Sequence, residues 1–244
     1  MGKREGENVI PKVLDFFLNV VVVMVRVAIF SSRQIADSAR GGQVKSATPN
    51  YMNIIVLDIE TKFTFDEVGG RDKYEALGVT VAGVYDYATS KYEAIEEKDI
   101  AKLEERMASK PLVIGFNIKK FDLPVLKPYL KIEVSTVQAF DIMEEIQNVV
   151  GHRIGLDAVA KATLGAGKSG DGLDAIRYYR SGEIDKLKKY CLDDVRLTKE
   201  LYEYGCKNKK LFFDSKFGKG RVTVNLNWEM PGTEESREQL SLFS

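Results

Sequence analysis

Two acidic residues in an early apolar run have the spacing of a metal-binding pair. Asp58 and Glu60 lie two residues apart in Leu57–Thr61, at the expected end of a strand, and therefore point to the same face. Carboxylates held together at a buried strand end repel each other unless a cation neutralises them. The pair allows a divalent-metal site; the alternative is that Glu60 is solvated and Asp58 caps a turn.

Two further segments carry candidates that are ambiguous by themselves. Asn117 ends a short apolar strand and Asp122 opens the next helical segment, where an acidic residue also suits the helix dipole. Tyr190 and Asp194 are four residues apart on one face of a long helix, although such a pair is commonly only a surface hydrogen bond. Asp193 falls off that face and is expected to be solvated.

The composition excludes several other kinds of chemistry. The 244 residues include one histidine, His152, which rules out a histidine-rich zinc site and leaves a single candidate base for Ser-His-Asp or Cys-His catalysis. Cys191 and Cys206 form no C-x-x-C pair, which excludes a disulfide scaffold and suits a reducing cytoplasm. Lys and Arg total 36, as do Asp and Glu, so any nucleic-acid groove must be a local patch.

The hydrophobic periodicity from Met52 onward predicts an α/β fold. Strands are expected at Asn53–Asp58, Gly78–Tyr87, Tyr92–Glu96, Leu112–Phe116 and Thr136–Phe140. Helical segments are expected at Asp99–Met107, Lys120–Leu130, Asp141–Val149, Leu156–Leu164, Leu173–Tyr179 and Glu183–Tyr204. Asp141 with Glu144 suggests a capping box, and Arg221–Trp228 alternates like an accessory strand. The order predicts a mixed five-stranded sheet, three antiparallel strands followed by parallel additions, flanked by helices.

The three acidic segments together resemble the exonuclease motifs of the DnaQ-like superfamily, whose fold is ribonuclease-H-like. These motifs are Asp-x-Glu on the first strand, Asn-x4-Asp after a later strand and Tyr-x3-Asp on a late helix, and the likeness covers about residues 52–205. Tyr190 before Asp194 is typical of the tyrosine branch (DEDDy), whereas Lys189 stands where the other branch has histidine. The stretch from Gly151 to Cys191 is most similar to YprB-type ribonuclease-H-like domains.

This resemblance implies a metal-dependent 3′→5′ exonuclease. It implies that two divalent ions, Mg²⁺ or Mn²⁺, are held by Asp58, Glu60, Asp122 and Asp194. It further implies that Tyr190 orients the attacking water and that Thr61 and Asn117 lie beside the terminal nucleotide. The alternative function is a catalytically weak nucleic-acid-binding module of the same fold, serving a repair or RNA-processing assembly.

A glycine-rich segment, Ala162–Ser169, fits a relaxed phosphate-loop pattern. A phosphate loop runs from a strand into a helix, whereas a helical segment precedes this one, so nucleotide hydrolysis is disfavoured. We expect a connection between helices in which Lys168 contacts the nucleic-acid backbone.

The first 51 residues differ from the rest and are expected to be an extension before an exonuclease domain at 52–228. Phe16–Val25 is uncharged, but it is shorter than the ~20 apolar residues of a spanning helix. The third hypothesis is a small membrane-associated protein that is anchored through this apolar segment. We favour a translation start at Met52, no membrane partner and a cytoplasmic location.

Residues 229–244 are expected to be a flexible tail that carries a partner motif. The pentapeptide Gln239-Leu240-Ser241-Leu242-Phe243 resembles the bacterial sliding-clamp-binding motif. In such motifs the Gln makes hydrogen bonds, and the Leu and aromatic side chains enter an apolar pocket. The residues that match these roles are Gln239, Leu240, Leu242 and Phe243. The resemblance implies DNA rather than RNA as substrate, in replication or repair.

Overall fold

A computed structural model describes residues 53–231, except 168, 169, 171, 216, 217 and 219. The predictions for residues 1–52, for Lys168 and for the pentapeptide at 239–243 therefore lie outside the described residues.

A mixed five-stranded sheet carries the site, in the order β3-β2-β1-β4-β5. Its strands are β1 (Ile54–Thr61), β2 (Val79–Asp86), β3 (Lys91–Glu96), β4 (Leu112–Gly115) and β5 (Ala139–Asp141). Strands β1, β2 and β3 pair antiparallel, while β4 and β5 add parallel on the other side of β1. This topology confirms the predicted meander with parallel additions.

The helices flank this sheet and agree with the predicted segments. They are α1 (Ala101–Ala108), α2 (Asp122–Leu126), α3 (Ile142–Val150), α4 (Leu156–Leu164), α5 (Gly172–Arg180) and α6 (Ile184–Asn208). Short 3₁₀ turns lie at Tyr74–Ala76, Glu97–Asp99, Lys127–Tyr129 and Val134–Thr136. The segment with Pro124 and Pro128 forms only the short α2 followed by a 3₁₀ turn, because proline removes backbone donors from a helix. No helix among the described residues is long and apolar enough to cross a bilayer.

Successive side chains of β1 point to opposite faces of the sheet and therefore contact different helices. Ile54 and Val56 face the apolar cluster that includes α3, α4 and the second half of α6. Leu57 faces the opposite cluster, with α1 and α2. Because side chains alternate along a strand, Asp58 and Glu60 share the face of Ile54 and Val56, which α6 covers.

The ends of β1 differ from the prediction in a way that matters for the site. The strand continues to Thr61, so Asp58 and Glu60 lie within it rather than at its end. Pairing with β2 extends to Thr61, whereas β4 pairs only with Ile54–Val56. The second half of β1 is therefore open on the β4 side, and α2 begins beside this opening.

A separate hairpin follows α6 and was only half predicted. It consists of β6 (Lys210–Asp214) and β7 (Arg221–Asn225). Strand β7 confirms the accessory strand, although it ends before Trp228. The prediction missed β6 because Lys209, with φ of 55°, turns the chain directly from helix to strand without a glycine or proline.

Candidate active site

The structure brings the predicted metal-binding and catalytic side chains together on one cleft of about 560 Å³. These side chains are Asp58, Glu60, Asp122, Tyr190 and Asp194. They come from β1, α2 and α6, which are far apart in the sequence. The volume lies within the range of about 300–1,000 Å³ that is usual for small-ligand sites.

The β1 pair forms the base of the cleft. Asp58 and Glu60 point to the same face, as the spacing predicts, and each offers an oxygen within 4.8 Å of the other and of the Cys191 Sγ. Glu60 is buried and Asp58 half-buried. Two acidic groups this close in a partly desolvated place make a high local negative potential, which favours a bound cation.

Asp122 enters the cleft through the open side of β1. It is the first residue of α2, it is buried, and its Oδ1 accepts a hydrogen bond of 3.1 Å from the Ile59 amide. Ile59 lies between Asp58 and Glu60, so this bond fixes Asp122 directly beside the pair. The helix start also favours the negative charge, but the contact with β1 decides where the carboxylate lies.

Helix α6 supplies the opposite wall of the site. Tyr190 and Asp194 are one helical turn apart and both are buried. The helix lies close to the sheet at Gly83, the residue that pairs with Asp58 across β1 and β2. A Cβ on Gly83 would be 2.8 Å from the Cys191 Sγ, so only glycine permits this approach.

Cys191 is a residue of the site that the sequence interpretation missed. Its Sγ lies 3.6 Å from the Asp58 backbone oxygen and 3.9 Å from the Asp58 Oδ2. Burial raises the pKa of the Cys191 thiol well above its usual value, and the nearby charges of Asp58, Glu60 and Asp194 raise it further. The sequence could have indicated this position, because Cys191 lies beside Tyr190 on the buried stripe of α6.

The donor set suits a hard cation. Zinc sites with cysteine use the thiolate, and burial among carboxylates opposes loss of the Cys191 proton. The remaining donors are the carboxylate oxygens of Asp58, Glu60, Asp122 and Asp194. Such oxygens are the ligands that Mg²⁺ and Mn²⁺ prefer.

Apolar side chains flank the carboxylates at the mouth of the cleft. Phe63 follows β1 and is 43% exposed, and Leu173 on α5 is 64% exposed. An ion pair of 2.6 Å joins the segments that carry them, from Arg180 on α5 to Glu67. The Thr64 amide and then Arg180 lower the pKa of Glu67 through hydrogen bonds.

The predicted substrate-binding residues have different outcomes. Thr61 lines the cleft, and its hydroxyl donates to the Phe63 backbone oxygen at 3.1 Å. Among the residues that the structure describes, Asn117 is not part of the cleft wall; its Oδ1 accepts a bond of 2.6 Å from Arg153. Its φ of 71° turns the chain sharply after β4, away from the course of a strand. Lys168 lies outside the described residues.

Comparisons with known proteins give distant structural matches and one family match. The solved structures that resemble the chain include Trypanosoma brucei RNase D, its complex with GMP and its complex with RNA U12, each 18% identical and covering 63% of this chain. Their TM-scores are 0.48, 0.46 and 0.46, and the match spans 57%, 50% and 55% of those chains, about half of their length. No curated protein sequence matches significantly. A family model described as RNase_H superfamily matches residues 55–206, more than half of the 244 residues, and the chain therefore belongs to the RNase H superfamily.

Proposed function

We propose that the chain is a metal-dependent 3′→5′ exonuclease of the DnaQ-like, DEDDy type, most similar to YprB-type domains. One observation carries the proposal: four carboxylates and a tyrosine, from three separate elements, converge on one cleft. Their order along the chain is that of the three exonuclease motifs. The 3′→5′ direction and the exonucleolytic mode rest on the resemblance of these motifs.

The carboxylates bind the ions and the tyrosine positions a water. When bound, two Mg²⁺ or Mn²⁺ ions supply water activation and stabilise the leaving 3′ oxygen. Asp58 and Glu60 on β1, together with Asp122 on α2 and Asp194 on α6, would hold these ions. The Tyr190 hydroxyl, which shares the cleft with them, hydrogen-bonds the attacking water and orients it.

The apolar mouth of the cleft suits nucleobases next to the carboxylates. Bases stack on aromatic and apolar surfaces with little regard to sequence, and stacking contributes about 1–3 kcal/mol per base. Phe63 and Leu173 present such surfaces close to Thr61, which we propose contacts the terminal nucleotide. This arrangement supports a nucleic-acid end as the substrate.

The test is cleavage of a 5′-labelled single strand by the full chain. DNA and RNA of one sequence are compared with Mg²⁺, Mn²⁺ and EDTA, and a second set carries a 3′-phosphate block. We expect metal-dependent ladders that shorten from the unblocked 3′ end, with DNA degraded faster than RNA. Products cut only internally contradict the exonucleolytic mode, and binding without cleavage favours the nucleic-acid-binding alternative.

Two neighbouring aspartates on α6 provide a matched pair of variants. Asp194→Asn removes a buried carboxylate from the cleft and should abolish cleavage while the fold remains intact. Asp193→Asn changes the preceding residue, which points away from the cleft and pairs with Arg196 at 3.8 Å. This variant should retain activity. Equal activity of the two variants contradicts the metal-site assignment.

A sliding clamp is the partner that we propose for the tail. The proposal rests on the identities of Gln239, Leu240, Leu242 and Phe243, and it explains how a chain with balanced charge can concentrate at DNA. The test compares clamp binding by the full chain and by a Leu242→Ala/Phe243→Ala variant. Equal binding by both, or none by either, contradicts it.

A further inference from the structure

Asp141 is a buried carboxylate that does more than cap a helix. As the N-cap of α3, its Oδ1 accepts hydrogen bonds from the Met143 and Glu144 amides, at 3.0 and 3.3 Å. This half of its role is the predicted one. The side chain is only 3% exposed, so its oxygens need hydrogen-bond donors from the protein, and these amides supply only some of them.

The other donors belong to the turn between β4 and α2. The Asn117 amide donates to Asp141 Oδ1 at 2.9 Å, and the Lys119 amide donates to Oδ2 at 3.1 Å. Asp141 therefore binds two segments at once, and it uses a separate oxygen for Lys119. Helix capping by itself needs only one acceptor oxygen.

The turn that Asp141 holds is tight and has an uncommon backbone conformation. Asn117 adopts a φ of 71°, which non-glycine residues seldom populate, although asparagine tolerates it better than most. Gly115, which pairs with Asp141 across β4 and β5, leaves room for Ile118 to fold back over it. A Cβ on Gly115 would lie 2.5 Å from the Ile118 Cβ.

The turn leads directly to the metal-binding candidate Asp122. The Lys120 and Phe121 amides donate to the Asn117 oxygen, and the Leu123 amide donates to the Ile118 oxygen. These bonds link the turn continuously to the start of α2. A displacement of Asn117 and Lys119 is therefore passed on to Asp122.

We propose that Asp141 is a positioning residue, which places Asp122 against β1 by fixing the Asn117–Lys119 turn through both of its oxygens, Oδ1 on the Asn117 amide and Oδ2 on the Lys119 amide. Its part in metal binding rests on the function proposed above, whereas its part in placing Asp122 does not. Outer partners of metal ligands typically change metal affinity by about 10- to 100-fold when they are replaced.

The test uses Asp141→Ser in the full chain, with Asp141→Asn as a second variant. Serine is a good N-cap with one acceptor oxygen, so α3 remains capped while the Lys119 amide loses its partner. The first readout is hydrogen exchange of the Ile59 amide, which donates to Asp122. The second is the dissociation constant for Mn²⁺, measured by electron paramagnetic resonance.

A matched control removes a different link between the same two segments. Lys119 Nζ and Glu144 form an exposed ion pair between the turn and α3, and exposed pairs contribute little. Glu144→Gln should leave Ile59 exchange and Mn²⁺ binding unchanged. Asp141→Ser should speed Ile59 exchange about 10-fold and weaken Mn²⁺ binding by about 10- to 100-fold.

The outcomes separate this inference from the proposed function. Unchanged Ile59 exchange in both Asp141 variants overturns the inference, whatever the wild-type activity. Faster Ile59 exchange in a protein whose wild type binds no Mn²⁺ supports the positioning of Asp122 and overturns the metal-dependent function. Faster exchange together with weaker Mn²⁺ binding supports both.

Discussion

Replacing Gly83 with alanine should disturb both the fold and the candidate metal site, because α6 rests on this residue. The added Cβ would lie 2.8 Å from the Cys191 Sγ and 2.9 Å from the Val195 Cγ2. Favourable carbon contacts begin near 3.5 Å, so α6 must move by about 0.6–1 Å. Cys191 and Val195 are fully buried, which leaves them little freedom to turn aside.

The expected magnitude follows from this displacement. Adding a methyl group to a filled core typically costs about 1–3 kcal/mol of unfolding free energy. Tyr190 and Asp194 move with α6, whereas Asp58 and Glu60 stay on β1. The carboxylate of Asp194 therefore moves away from the two carboxylates on β1. A misplacement of about 1 Å can lower a catalytic rate by about 100-fold. We therefore expect Gly83→Ala to lower the free energy of unfolding by about 1–3 kcal/mol and to remove most of the cleavage activity.

The assay is urea unfolding together with Mn²⁺ titration, and a rescue variant makes it specific. Cys191→Ala removes the sulfur that the new Cβ would contact. The double variant should therefore recover part of the stability and part of the Mn²⁺ binding that Gly83→Ala loses. We expect a coupling free energy of about 0.5–3 kcal/mol in a double-mutant cycle. Gly155→Ala is the control, because a Cβ there has no neighbour within 4 Å. Additive effects of Gly83→Ala and Cys191→Ala, or unchanged Mn²⁺ binding in Gly83→Ala, would refute the reasoning.

Four other substitutions test individual side chains of the cleft. Tyr190→Phe should slow turnover by about 10- to 1,000-fold and leave Mn²⁺ affinity intact, since it removes one positioning hydrogen bond; equal rates in single-turnover kinetics contradict that role. Glu60→Gln should melt at or above the wild-type temperature in EDTA because it relieves repulsion between groups within 4.8 Å, and Mn²⁺ should raise the melting temperature of the wild type more than that of the variant. Phe63→Ala and Leu173→Ala should each raise KM by about 5- to 150-fold through lost base stacking, and an unchanged KM excludes the stacking role.

Much of the fold could be predicted because local patterns determine it. Continuous apolar runs indicate buried strands, and α4 has the predicted bounds of Leu156–Leu164. The topology followed from short connections between the first three strands and the alternation that comes after them. Strand β6 was missed because the end of α6 at Lys209 carries no glycine or proline.

The identities of the candidate ligands were also available from the sequence, whereas their surroundings were not. Spacing placed Asp58 with Glu60, and Tyr190 with Asp194, because strands and helices have fixed periods. The resemblance to the exonuclease motifs, rather than spacing, placed Asn117 beside the substrate, and its left-handed backbone and its bond to Arg153 depend on contacts with a later segment. The second role of Asp141 was hidden for the same reason.

The sequence by itself determined the elements, their order and the face to which each acidic side chain points, since these depend on neighbours within a few residues. Only the tertiary structure decided that the acidic segments meet. Cys191 and Asp58 are 133 residues apart, and they lie together because Gly83 leaves room for α6 against the sheet. Asp122 reaches β1 because β4 stops pairing at Val56 and leaves the Ile59 amide open to it. Such contacts depend on the shapes of segments distant in the chain, which no local period encodes.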